Sequence, residues 1–146
     1  MKNRIFLIAA IVCLLVGTIA GYVLTPDSSE LPRLSGWTRS RIEKAWEAAG
    51  NSPLYWADSL SDPGDRYYGT YAGYDIFFWG SCESTQTLYS IRIGDFSFHH
   101  NCGFGLIAIK SGKVHDLKQI YAEGALGDGE LAQIHSIHLQ YERYGG

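Results

Sequence analysis

The sequence predicts an α+β fold: about five antiparallel strands in one sheet, with an N-terminal helix and two C-terminal helices on one face, preceded by a membrane-spanning or signal helix. Three observations predict it. Strand patterns follow one another without interruption from Arg66 to Lys110, helical spacing appears on both sides of them, and Ile5 to Leu24 is an uncharged apolar run. Contiguous strands flanked by helices make α+β architecture, because alternating strand and helix patterns are what a parallel sheet requires. With 146 residues, 46% of them hydrophobic, the chain is long enough for one modest core.

Met1 to Arg4 is basic, and the run from Ile5 to Leu24 is long enough to cross the roughly 30 Å hydrocarbon core as a helix. Residues 1–24 therefore read as a signal-anchor or as a cleaved signal peptide. Thr18-Ile19-Ala20 offers small residues at the offsets cleavage needs, whereas Tyr22, Val23 and Leu24 continue the apolar run as an anchor would. A lipoprotein does not fit, since Ala10-Ile11-Val12 puts no small residue directly before Cys13. Basic residues before the span, with Asp27 and Glu30 after it, orient the rest of the chain out of the cytoplasm. The expected location is thus the cell membrane with an extracytoplasmic domain, or secretion if the chain is cut after Ala20.

Residues 25–34 turn to Pro, Ser and acid and read as a linker, leaving 35–146 as the extracytoplasmic domain. In Trp37 to Ala49, Ile42, Ala45, Trp46 and Ala49 recur at three and four; Ser40 with Glu43 has capping-box spacing, and Gly50 supplies a stop. Asn51 to Asp65 is loop-like, with Pro53, Pro63 and Gly64, and its Leu54, Tyr55 and Trp56 are expected to cover a sheet edge.

Tyr67 to Tyr71 and Tyr74 to Trp79 read as strands joined by Ala72-Gly73, a two-residue hairpin signal weakened by Ala, which resists positive φ. Thr85 to Ile93 alternates with period two, and Gly94-Asp95 turns it into Phe96 to Asn101. Leu106 to Ile109 is an unbroken apolar run, the pattern of a strand buried on both faces. Asp116 can cap a helix over Leu117 to Glu123, and Gly127 to Glu130 opens a longer one with Leu131, Ile134, Ile137, His138 and Tyr141 in one stripe.

With Cys13 inside the apolar segment, Cys82 and Cys102 form an even pair in the exported part, expected to be bonded in an oxidising compartment. The second hairpin brings its two ends, and so the two cysteines, together. With 19 residues between them, the chain-entropy estimate for that bridge is roughly 3 kcal/mol. Without Lys2 and Arg4, 10 basic residues face 15 acidic ones, a formal charge of −5. That balance disfavours a nucleic-acid partner.

One resemblance is carried by the run Tyr67-Tyr68-Gly69-Thr70-Tyr71-Ala72-Gly73-Tyr74-Asp75-Ile76-Phe77-Phe78 and by Lys110 to Gly124. Together they resemble an uncharacterised group of small exported bacterial proteins, with a YYGTYNG-like hairpin and a strand ending in K-D-G before L-x-x-A-Y-x-x-G-L-L-T-x-x-D-L-x-x-I. The match spans about Arg66 to Ile137. Ala72, Ile120 and Gly127 depart from it, where the group has Asn, Ala and a Thr cap. The resemblance implies an exported location and a shared domain, and brings no activity with it.

Histidine is the one residue type available as a general base or metal ligand. His99 and His100 are neighbours on a strand and point to opposite faces. His135 and His138 are three apart on a helix, but no CxxC or HExxH spacing completes a zinc site, so no metal or cofactor is expected. His100, His115 and Asp116 would form a constellation only if strand ends converge. No G-x-S-x-G elbow or phosphate loop is present, and Asp62 and Asp65 sit in a Pro-Gly loop that reads as solvated. The expected function is a non-catalytic extracytoplasmic module that binds a protein, peptide or cell-envelope ligand. Tyr67, Tyr68, Tyr71, Tyr74 and Trp79 are its candidate surface, drawn from an aromatic content of 14%. The alternative is an extracytoplasmic hydrolase with a His-based site, which requires a pocket where His100 or His115 meets an acid. A membrane-tethered structural subunit is a third reading.

Overall fold

The computed structural model describes residues 31–81 and 87–144. The apolar N-terminal segment, Cys13 and Cys82 lie outside them. Among the described residues no helix is long and apolar enough to cross a membrane.

The elements are α1 (Gly36–Ala48), β1 (Arg66–Tyr71), β2 (Tyr74–Ser81), β3 (Tyr89–Ile93), β4 (Phe96–His100), β5 (Gly103–Lys110), β6 (Lys113–Asp116), α2 (Leu117–Ala122) and α3 (Asp128–Tyr144). The α+β class is as expected, but there are six described strands, in two antiparallel sheets. One sheet has the order β1-β2-β5-β6, and β3-β4 stands apart as a two-stranded ribbon. The missed strand is β6, four residues paired with β5 from Ile107–Asp116 to Lys110–Lys113. So short and polar a segment carries no alternation to read.

Helices on one face is also corrected. Ile42, Ala45 and Trp46 of α1 pack with Leu54, Tyr67, Phe77 and Ile109 on one side of the sheet. On the other side Tyr68, Ile76, Phe78, Leu106 and Ala108 meet Ile93 and Phe98 of the ribbon, Leu117 and Ile120 of α2, and Leu131, Ile134 and Tyr141 of α3. The apolar run of β5 has this physical cause: Leu106 and Ala108 serve one core while Ile109 serves the other. The loop before β1 covers that first face beside α1 rather than an edge, with Leu54 buried and Trp56 packed against the same cluster.

Local chemistry explains the element ends. α1 starts at Ser35, whose Oγ accepts the Thr38 N–H at 3.1 Å; the capping role expected of Ser40 fails because Ser40 is already inside the helix. Asp116 caps α2 as expected, accepting the N–H groups of Lys118 (2.8 Å) and Gln119 (3.2 Å). At α3 the Gly127 N–H donates to Glu130 Oε2 at 2.9 Å, so half of a capping box survives without a cap side chain. Ala72 and Gly73 turn β1 into β2 with φ of 49° and 79°.

A bulge at Tyr68 sets the sides of β1. Tyr67 pairs with Phe77 but Gly69 with Ile76, so Tyr68 is the extra residue and the alternation reverses beyond it. Tyr67 thus joins the α1 core, while Tyr68 and Tyr71 both face the C-terminal helices.

Candidate functional site

The free edge of β4 is completed by side chains of α3. His135 Nε2 donates to the Ser97 carbonyl and His138 Nε2 to the His99 carbonyl, each at 2.9 Å. With its Nε2 proton committed to a carbonyl, His138 accepts at Nδ1, where the Tyr68 hydroxyl donates at 2.8 Å. His138 is buried, and desolvation holds its pKa down at about 4 against an ordinary 6.5. It is therefore a neutral core histidine that ties β1, β4 and α3 together.

Where these three elements meet β2 there is a cavity of about 230 Å³, lined among others by Arg66, Tyr68, His99, His100, His138 and Glu142. Phe78, Tyr141 and Leu88 give it apolar walls. Arg66, at the start of β1, is only 5% exposed. Its guanidinium lies 3.9 Å over the Tyr141 ring. Its Nη2 donates to the carbonyls of Asp62 (2.7 Å) and Leu60 (3.4 Å). Among the described residues no carboxylate forms an ion pair with it, and its buried Nε has no hydrogen-bond partner. The second buried, unpartnered side-chain atom is Nδ1 of His99, a residue of the same cavity. Burial lowers the pKa of His100, whose Nδ1 is held by the Cys102 backbone, 3.1 Å from its nitrogen and 3.2 Å from its oxygen. Burial also pushes the Tyr141 hydroxyl up to about 12 and Tyr68 well above the usual range. Glu142 stands at the rim with its side chain 29% exposed, and its nearest basic group is His138 Nε2 at 3.5 Å.

The residues singled out in the sequence fall in different places. Tyr67 and Tyr68 are buried and Tyr71, Tyr74 and Trp79 partly so. Tyr67 and Trp79 belong to the α1 face and the other three to the opposite one, so the five do not make a single surface. Of them only Tyr68 lines the cavity. His115 packs edge-on against Tyr74 at 5.7 Å, while His100 packs on Phe78 and Phe104, so strand ends do not bring His100 to His115 and Asp116. His99 and His100, expected to diverge, both line the cavity.

The solvated reading of Asp65 is overturned. Asp65 is 4% exposed and accepts the Tyr55 N–H at 2.7 Å and the Gly80 N–H at 3.1 Å, pinning the loop to β2. Burial raises its pKa, against the pull of those two N–H groups. Asp62, by contrast, is partly exposed and organises its own turn by accepting the Asp58 and Gly64 N–H groups, each at 3.1 Å.

Among the described residues no group of three His, Cys, Asp or Glu side chains could hold a metal ion. Cys102 is disulfide-bonded. Arg66 is the site residue that sequence reasoning missed. Its signal was an arginine opening an aromatic strand, but its burial comes from Tyr141, 75 residues away in sequence. No family model, curated protein or solved structure matches this chain.

Proposed function

We propose that the chain is a non-catalytic extracytoplasmic binding module, exported through its N-terminal apolar segment, that takes a small ligand into the cavity between β1, β4 and α3. The observation that supports it is that the two buried, unpartnered side-chain atoms among the described residues, Arg66 Nε and His99 Nδ1, both belong to residues of this cavity. Buried polar groups are almost always paired, and those left over mark places where a partner is expected. The histidines support binding over catalysis: His138 has both ring nitrogens engaged, and His100 is kept from charging by burial.

In amide NMR spectra of the full-length chain titrated with a library of small polar compounds, shifts are expected to cluster at Arg66, Leu88, His99 and Tyr141. Binding that perturbs only residues elsewhere would overturn the assignment of the site. A hydrolase remains the second reading because His100 and an acid, Glu142, do line one cavity. Its signature would be ester or amide hydrolysis lost in His100→Ala.

The extracytoplasmic location carries a proposal about Cys82 as the partner of Cys102. Iodoacetamide is expected to label neither of them in the unfolded chain until a reductant is added, as read by peptide mass spectrometry. Labelling of either one without reductant would refute the pairing.

A further inference from the structure

Resting on the reading of this cavity as a binding site, we infer that its ligand is a small zwitterion of amino-acid type, its carboxylate meeting Arg66 and its ammonium meeting Glu142. The two charges lining the cavity have opposite signs and are not paired with each other among the described residues. Arg66 has two backbone carbonyls on Nη2 and a tyrosine face against it, its buried Nε has no hydrogen-bond partner, and the Asp62 carboxylate acts on it electrostatically without forming an ion pair among the described residues. A guanidinium so deeply buried is costly unless an anion joins it, and its planar fork suits a carboxylate.

At the rim, Glu142 faces an imidazole that is itself neutral, so its nearest basic group supplies no charge. A carboxylate with no charged base against it on one side, and on the other a guanidinium with no carboxylate in ion-pair contact among the described residues, favour a molecule carrying both charges. A phosphate or dicarboxylate would satisfy Arg66 and be repelled by Glu142; a simple amine would do the reverse. The walls between are Tyr68, Phe78, Leu88 and Tyr141, which fit an apolar body. At about 230 Å³ the cavity lies below the range that holds drug-sized ligands and suits a molecule of single-amino-acid size.

The test uses calorimetry and amide NMR on the full-length chain with three probes of one shape: L-leucine, 4-methylpentanoate, which lacks the amine, and 3-methylbutylamine, which lacks the carboxylate. L-Leucine is expected to bind at least tenfold more tightly than either analogue, with shifts at Arg66 and Tyr141. Arg66→Met should abolish that binding. Because Arg66 lies in the core and its replacement also tests folding, Glu142→Gln at the partly exposed rim is the second variant. It should weaken L-leucine at least fivefold and leave 4-methylpentanoate as it was or tighter. Equal affinities for the three probes, or an unchanged L-leucine affinity in Glu142→Gln, would overturn the zwitterion while leaving the cavity as a binding site. Failure of L-leucine to bind, with neutral compounds shifting the same residues, would overturn it in the same way. If no compound of any charge perturbs the cavity residues, the binding reading itself falls with it.

Discussion

Arg41→Ala is expected to destabilise the domain by about 3 kcal/mol, and by more than Asp75→Ala does. Asp75 on β2 is 2% exposed, and its carboxylate is held by a bidentate fork from α1: Arg41 Nε to Oδ2 at 2.7 Å and Nη2 to Oδ1 at 2.8 Å. Thr70 donates to the same Oδ1 at 2.8 Å, and the Tyr67 hydroxyl lies 2.8 Å from the Thr70 oxygen. The two partners are unequally buried, since the Arg41 side chain is 37% exposed. Removing Arg41 strands a carboxylate in the core; removing Asp75 frees an arginine that already reaches water. Asp75→Ala should therefore cost about half as much, chiefly through the lost Thr70 acceptor. The double variant should be no less stable than Arg41→Ala alone. Urea denaturation with an unchanged m-value is the measurement. A loss below 1 kcal/mol for Arg41→Ala, or the reverse ranking, would show that α1 is held by its apolar face alone.

That ion pair also illustrates what the sequence hides. The stripe Leu131, Ile134, Ile137, His138 and Tyr141 was legible because period 3.6 is a local property; Ile137 is partly buried and the other four are buried. The strand patterns around Gly94-Asp95 were legible for the same reason, and β4 has the bounds they suggest apart from its last residue. Partner choice is not local. Nothing in the alternation of Tyr89 to Ile93 says that its ribbon leaves the main sheet and is sealed by two histidines of α3. Gly69 was a readable sign of a bulge, yet only the register Gly69–Ile76 shows that the alternation reverses there and puts Tyr71 on the same face as Tyr68, opposite Tyr67. The five aromatic residues looked like one surface because a hairpin sequence conceals which face each ring takes. Asp65 follows Pro63 and Gly64, and composition alone placed it in water, while Arg66 beside it read only as the start of a strand. Their burial depends on Tyr141, Gly80 and the backbone of residues 55–62, contacts that no window of sequence contains.

Acid is expected to weaken the fold through His138, by up to about 3 kcal/mol between neutral pH and pH 4. In the unfolded chain this imidazole takes up its proton near 6.5; in the folded one, buried beside Arg66, His100 and His135, it does so at about 4. Between those values the unfolded state holds more protons, so stability is complete above pH 6.5 and falls as the pH drops towards 4. Of the groups that face the ring, the His99 carbonyl and Glu142 favour the proton, and burial outweighs them. Protonation also converts Nδ1 from acceptor to donor, so the Tyr68 hydroxyl must turn away and one wall of the cavity loses its tie to α3. Asp65 works in the opposite sense, because its raised pKa makes its contribution fall as the pH rises through that value. Comparing the native chain with His138→Gln cancels the Asp65 contribution. The native chain should lose about 3 kcal/mol more than the variant when guanidinium denaturation is moved from pH 7.5 to 4, and ligand affinity should fall in parallel. Equal losses in the two chains would mean that the ring exchanges its proton in the fold as freely as in water, and that the Tyr68–His138–His99 tie is not what holds β1 and β4 to α3.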